Sequence, residues 1–216
     1  MAGFLSRREI LKRAAAAGMT TALPVQTMAQ ALPSGARPAF ENLSASESEI
    51  LEAIVARLIP SDENGPGALE AGAANYIDKG LADTLASSQV AYRAGLVALD
   101  AYAHESAGEA FTALGPGEQD SVLDHLEQNR ASGFEPDAAS FFNMVLLHTI
   151  QGTFCDPAYG GNLDFIGWEM IGYPGIRLGV TAEQQRIDSF PEMTRVSAYD
   201  LPMFDADSTG ERTDDG

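Results

Sequence analysis

The most regular apolar pattern in the chain begins shortly after residue 44. Ser46 and Glu49 have the spacing of a capping box, in which a serine and a glutamate satisfy the first free N–H groups of a helix. The apolar residues that follow recur at the spacing of one helical face, and Pro60 is expected to end the helix. These apolar residues are Ile50, Leu51, Ile54, Val55, Leu58 and Ile59. Residues 61–67 are rich in turn-forming residues and are predicted to form a loop.

Four more segments with helical periodicity follow that loop. Pro116 can occupy the first turn of one of them, where its missing N–H removes no helical hydrogen bond. Asp137 is predicted to be the N-cap of the last one. The four predicted helices cover residues 69–85, 88–106, 116–129 and 137–151.

The helical pattern stops after Gly152. Residues 153–180 alternate glycines and prolines with aromatic residues, and such long irregular segments in a compact domain are often functional. One short helix is predicted over residues 181–189, and residues 191–216 are predicted to form an extended acidic tail. No internal repeat or alternating strand pattern is present. The predicted fold is mainly α, with about five helices and a long, ordered, irregular C-terminal region rich in glycine and aromatic residues.

The N-terminus has the layout of a cleavable export signal. Arg7 and Arg8 precede a short, weakly apolar stretch over residues 14–23, and Ala29 and Ala31 occupy the −3 and −1 positions of a cleavage site. The arginine pair resembles a twin-arginine signal, which the twin-arginine translocase recognises on folded cargo. We therefore predict a signal peptide over residues 1–31, cleavage after Ala31, a linker over residues 32–43 and a periplasmic location.

An uncleaved amphipathic helix is the alternative interpretation of the same residues. Pro24 and the small residues around the predicted cleavage site fit that alternative poorly. The apolar stretch is also much shorter than the roughly 20 residues that a membrane-spanning helix requires.

The charge of the chain restricts its partners. The formal net charge is −18, and the signal peptide holds more basic than acidic residues, so the mature chain is more acidic still. Electrostatic attraction to nucleic acid or to an anionic membrane surface is therefore excluded as a binding mode. Cys155 is the only cysteine, which excludes an internal disulfide, an iron–sulfur cluster and a C-x-x-C haem attachment site in this chain. No cofactor, metal or catalytic site is predicted in it, and no membrane span after the signal.

The most specific motif lies in the irregular region. It reads Asp156-Pro157-x-Tyr159-Gly160-Gly161-Asn162, followed by Gly167-Trp168 and then by Gly172-Tyr173-Pro174-Gly175. Asp-Pro favours the start of a turn, whereas paired glycines and asparagine tolerate left-handed backbone conformations. We predict a sharply folded loop whose partner-binding residues are Asp156, Pro157, Tyr159, Gly160, Gly161, Asn162, Trp168 and Tyr173, because Trp and Tyr are enriched at interface centres. An Ω-like loop that packs only on its own helices is the alternative, and the two are compatible.

These motifs resemble the small third subunit of the gluconate 2-dehydrogenase family, over residues 44–190. The resemblance implies a helical subunit that pairs with a flavin oxidoreductase of the glucose–methanol–choline type and with a multihaem cytochrome c. It further implies that FAD and haem c lie in those partners, and that the complex oxidises a sugar or sugar acid at the inner membrane. The small subunit is then expected to support folding, twin-arginine export and stability of the large subunit without being catalytic itself.

Two rival functions remain open from the residues. His148 and Cys155, with Asp156 orienting the histidine, could form a catalytic or ligand-binding pocket in a free-standing periplasmic protein. The alternative for His148 is a packed core histidine, because it falls on an apolar helical face. A purely structural exported domain with an unrelated partner is the second rival. His104 and His125 lack the spacing of metal ligands, and Gly160-Gly161 lacks the flanking strand and lysine of a phosphate loop.

Overall fold

The computed structural model describes residues 40–63, 65–188 and 192–204. Within these ranges the protein is helical and has no β-strand, so the predicted mainly α fold is confirmed. The helices are α1 (Ala45–Leu58), α2 (Ala73–Gly80), α3 (Gln89–Ala107), α4 (Pro116–Glu127), α5 (Ala138–Phe154) and α6 (Ile166–Met170). The predicted export signal, with Arg7, Arg8, Ala29 and Ala31, lies outside the described residues.

Helix α1 begins two residues earlier than the predicted capping box. Its N-cap is Ser44, whose hydroxyl accepts a hydrogen bond from the Glu47 N–H, while the Glu47 carboxylate accepts one from the Ser44 N–H. The prediction of Ser46 and Glu49 in these roles was wrong, although both pairs have the same spacing. The N-cap is Ser44 and not Ser46 because the hydrogen bond from the Leu43 N–H to the Asp78 carboxylate fixes the chain just before Ser44.

Asp78 anchors the segment that leads into α1. Its buried carboxylate accepts hydrogen bonds from the backbone N–H groups of Glu41, Asn42 and Leu43, at 2.7, 3.0 and 2.9 Å. The Asn42 side chain also donates to the Asp78 carbonyl. The last residues of the predicted linker are therefore part of the folded domain, and hydrogen bonds to a charged acceptor compensate for the burial of this carboxylate.

Helix α2 is shorter than the predicted segment 69–85. Gly72 takes a left-handed conformation as its N-cap, and the residues before it form turns. At the other end the Leu85 N–H bonds the Gly80 carbonyl, which closes a turn after the helix has ended. Periodicity alone did not mark these ends, because the apolar spacing continues through both turns.

Helices α3, α4 and α5 lie close to their predicted positions. Asp137 caps α5 as predicted, with its carboxylate accepting from the Ser140 N–H at 2.9 Å. Helix α5 packs against α1, α2, α3 and α4, and it is one turn longer at its C-terminus than predicted. Its neighbours approach closely at two glycines, since a Cβ at Gly95 would overlap the Phe141 ring and one at Gly152 would press on α2. The side chains that fill the core without exposure include Leu51, Val55, Ile77, Tyr92, Leu96, Leu99 and Phe111.

The C-terminal region contains one helix that was missed and lacks one that was predicted. The short helix α6 was not predicted. Residues 182–188 form exposed turns, so the predicted helix over 181–189 is wrong for the described part of that range. The physical reason is that this segment buries no apolar face, and Ile187 is fully exposed.

Part of the predicted extended tail folds back on the domain. The Thr194 N–H donates to the Pro174 carbonyl at 3.0 Å, and 3₁₀ turns form over Ala198–Asp200 and Pro202–Phe204. Among the described residues, no helix combines the length and apolar character needed to cross a bilayer.

Candidate functional site

The loop after α5 is organised around the side chain of Asn162. This residue has no solvent exposure and a left-handed conformation, with φ 43° and ψ 44°. Its side-chain N–H donates to the Cys155 carbonyl at 2.8 Å, and its side-chain oxygen accepts from the Gly167 N–H at 2.7 Å. Its own N–H donates to the Gly152 carbonyl at 2.8 Å. One asparagine thus joins the end of α5 to the start of α6.

The glycines of the loop allow backbone segments to touch. A Cβ on Gly161 would overlap the Gly152 carbonyl, and one on Gly167 would overlap the Thr153 carbonyl. Gly160 has φ +89° and its carbonyl accepts a hydrogen bond from the Asn75 side chain on α2. These positions therefore require glycine because of close backbone approach and, at Gly160, a left-handed conformation.

Asp156 holds two separate parts of the C-terminal region. Its carboxylate accepts from the Ala158 N–H at 3.0 Å and so caps the 3₁₀ turn Pro157–Tyr159. The same carboxylate accepts from the Ser197 hydroxyl at 2.6 Å and from the Ala198 N–H at 2.7 Å. Sequence reasoning missed this contact, although Ser197 and Asp200 have capping-box spacing, which marks an ordered turn.

The aromatic residues of the loop divide into buried and exposed ones. Trp168 is only 4% exposed and donates its indole N–H to the Phe154 carbonyl at 3.0 Å. Tyr173 packs against its ring edge-on and is 38% exposed, and Tyr159 is 49% exposed. Of the predicted partner-binding residues, Asn162 and Trp168 are therefore buried inside the loop, whereas Tyr159 and Tyr173 are exposed.

An apolar cleft of about 540 Å³ opens beside Tyr159, between α2 and α5. We call it the α2–α5 cleft. Volumes of this order are typical of clefts that accept a ligand or a partner side chain. Its lining residues, most of them missed by the sequence prediction, are Tyr76, Thr84, Leu85, Ile150, Gln151, Phe154, Cys155 and Tyr159. Ile150 is 43% exposed, and Leu147 on the same helix is 53% exposed. Both fall off the apolar face of α5 that packs on the core, and this was a usable signal in the sequence.

His148 and Cys155 do not form a pair in this site. The His148 Nδ1 atom lies 3.0 Å from the Tyr92 hydroxyl inside the helical core, and His148 does not line the α2–α5 cleft. Burial lowers the pKa of His148. Burial also raises the pKa of the Cys155 thiol to about 11, with a smaller contribution from the charge of Asp156. A neutral thiol is a poor nucleophile, so this geometry does not favour the Cys–His interpretation.

No group of three or more potential metal-ligating side chains occurs in the part of the chain that the structure describes. The two histidines outside the core have other partners. The His125 Nδ1 atom lies 2.8 Å from the Tyr102 hydroxyl, and His104 lies one helical turn from Asp100.

Comparison with known proteins gives one match. The family model described as gluconate 2-dehydrogenase subunit 3 matches residues 45–175, which is more than half of the chain. The matched range runs from the start of α1 to the end of the Gly172–Gly175 motif. The searches of curated proteins and of solved structures returned no match.

The first prediction concerns the Asn162 side chain. Replacing Asn162 with glycine keeps the left-handed backbone accessible but leaves the buried Gly167 N–H and Cys155 carbonyl without these hydrogen bonds. We expect the free energy of unfolding to fall by about 3 kcal/mol, since each buried group left unsatisfied costs about 1–3 kcal/mol. Urea denaturation followed by circular dichroism measures it. Asn143→Gly, at a position within a helix, is the control for the chain entropy that glycine adds to the unfolded state. If Asn162→Gly lowers the free energy of unfolding by less than this control does, the prediction is contradicted.

The second prediction concerns pH. The folded state disfavours the charged form of His148, so the unfolded chain takes up a proton as the pH falls below about 6.5 while the folded chain does not. His148 therefore contributes no penalty at neutral pH, and the free energy of unfolding falls as the pH drops towards the folded pKa. Urea unfolding at about pH 7.5 and about pH 5 should show a smaller pH difference for His148→Gln than for the wild type.

The exposed His104 provides the matched control for this experiment. His104→Gln should keep the pH difference of the wild type. Equal pH differences for the wild type and His148→Gln would show that the buried imidazole does not contribute to acid destabilisation.

Proposed function

This chain belongs to the gluconate 2-dehydrogenase subunit 3 family, and we propose that it is the non-catalytic small subunit of a periplasmic, flavin-dependent sugar or sugar-acid dehydrogenase complex. In this proposal it binds the flavin oxidoreductase subunit of the glucose–methanol–choline type. That subunit holds FAD and takes the hydride from the substrate, and a multihaem cytochrome c holds haem c and receives the electrons. The complex sits at the inner membrane through these partners.

The observation that carries the proposal is the exposed apolar surface at the C-terminal end of α5. Ile150 and Tyr159 border the α2–α5 cleft, and Tyr173 is exposed on the neighbouring loop. A contiguous exposed apolar surface often marks an interaction site, and tyrosine is enriched in such sites. The loop behind them is held by buried hydrogen bonds, so a partner would meet a surface that needs little ordering on binding.

The small subunit is proposed to act on its partner through binding alone. A protein that binds the folded catalytic subunit but not its unfolded chain stabilises the folded state in proportion to its concentration. The proposal assigns export to the same association. Arg7 and Arg8 form the twin-arginine contact, and the translocase then carries both subunits as folded cargo.

The third prediction tests the docking surface. Ile150→Glu places a carboxylate at the mouth of the α2–α5 cleft, where binding would remove it from water without a partner charge. We expect the small subunit recovered with a tagged flavin subunit to fall about tenfold or more, which corresponds to a loss of at least about 1.4 kcal/mol. Circular dichroism should show that the variant keeps its helical fold.

The control is the same substitution at Val90, which is 79% exposed on α3 and does not line the cleft. Val90→Glu should leave recovery with the flavin subunit unchanged. If both variants lose the partner equally, or if neither does, the α2–α5 cleft is not the docking site.

The fourth prediction tests the carrier role. Changing Arg7 and Arg8 together to lysine keeps the charge but removes the arginine pair that the translocase recognises. In this proposal the flavin subunit has no export signal of its own and depends on the signal of the small subunit. The amount of flavin subunit in the periplasmic fraction is therefore expected to fall to about a tenth or less. Lys12→Arg, outside the pair, is the control and should have no effect. Unchanged periplasmic activity with both arginines replaced would refute the carrier role.

A further inference from the structure

A short segment beyond the family-matched region occupies the surface of the loop. Residues 192–204, which we call the strap, lie after the matched range 45–175. Within the strap, Ser197 and Ala198 bind the Asp156 carboxylate through a hydroxyl and a backbone N–H. The Tyr199 hydroxyl lies 2.7 Å from the Tyr159 hydroxyl, and the two rings meet edge-on.

These contacts amount to a peptide-binding arrangement. One carboxylate accepts a hydrogen bond from the hydroxyl of Ser197, the N-cap of the 3₁₀ turn Ala198–Asp200, and one from the N–H of Ala198, the first residue of that turn. Tyr159, one turn after Asp156, contacts the ring of Tyr199, the residue that follows Ala198. Asp156 and Tyr159, which we call the acceptor pair, both lie inside the family-matched region. The residues they hold lie outside it, so the same pair can accept a different segment with the same chemistry.

The acceptor pair also adjoins the proposed docking surface. Tyr159 lines the α2–α5 cleft, so the strap contacts one of the residues that border that cleft. Ser197 is buried, but the strap otherwise lies at the surface, since Tyr199 and Met203 are exposed and Arg195 forms an exposed ion pair with Glu169. Surface ion pairs contribute little to stability, so the strap is held mainly by the hydrogen bonds from Ser197 and Ala198 to the Asp156 carboxylate. A partner segment with the same donors would replace these hydrogen bonds as the strap leaves.

We propose that the acceptor pair binds a short turn of the catalytic subunit, in which a hydroxyl residue caps the turn and is followed by a backbone N–H and an aromatic residue, and that the strap occupies this site in the free small subunit. The proposal rests on the proposed function for the identity of the occupant. In this proposal the strap and the partner segment compete for binding to Asp156 and Tyr159.

The test uses the full chain with the strap weakened. Ser197→Ala removes the hydroxyl donor, and Ala198→Pro removes the N–H donor. Proline fits position 198, the first residue of the 3₁₀ turn Ala198–Asp200, and Ser197 has the extended conformation that proline requires before it. Ser121→Ala is the control, because its hydroxyl bonds only within α4.

The first measurement is independent of any partner. A fluorescent synthetic peptide with the sequence of residues 194–203 is titrated against each chain and followed by anisotropy. We expect about tenfold tighter binding to the doubly substituted chain than to the wild type or the Ser121→Ala control, because an occupied site lowers apparent affinity. Adding Asp156→Asn should abolish binding, and adding Tyr159→Phe, which changes only an exposed hydroxyl contact, should weaken it several-fold. No binding to the doubly substituted chain overturns the acceptor pair as a site.

The second measurement uses the flavin subunit on a biosensor surface. Its affinity for the doubly substituted chain should be higher than for the wild type, by about the factor seen with the peptide. A lower affinity would overturn the proposal, because the strap would then be part of the interface. If no form of the chain binds the flavin subunit, the proposed function fails and the proposed occupant is wrong. The peptide titration still decides whether Asp156 and Tyr159 form a peptide-binding site.

Discussion

Asn162 joins the end of α5, the start of α6 and the turn between them through one buried side chain. Its amide group has a donor and an acceptor, and each is directed at a backbone group that has no helical partner. A buried peptide group without a hydrogen bond is costly, so the loop can be compact only where such a side chain supplies the missing partner. The start of α6, and with it the position of Trp168, depends on these hydrogen bonds.

The helical part of the protein was predictable because local signals agreed with one another. Asp137 was recognised as a cap, and α3, α4 and α5 followed the apolar spacing closely. The errors occurred where a distant residue decided the outcome. Two capping boxes of equal spacing compete at the start of α1, and Asp78, more than thirty residues away, selects the earlier one. A pattern of apolar positions contains no information about such a contact.

The candidate site was predictable in its location but not in the roles of its residues. The aromatic and glycine motif identified the loop, and the family match covers it. Residue type alone could not separate Trp168, whose indole faces inwards, from Tyr159, whose ring faces water. Burial depends on how the loop folds, and that depends on Asn162 and on contacts to α2. The strap was missed because no local pattern shows that Ser197 and Ala198 bind Asp156, about forty residues earlier in the chain.

The contact between Asp78 and the segment before α1 also determines how the domain responds to tension. Tension applied to the chain ahead of residue 41 would reach the folded domain at Glu41, Asn42 and Leu43. There it would be shared by hydrogen bonds to a single carboxylate rooted in α2, so that they resist together and do not open one after another. Because these hydrogen bonds fix the chain at residues 41–43, cutting the chain before residue 41 would leave the packed helices in place.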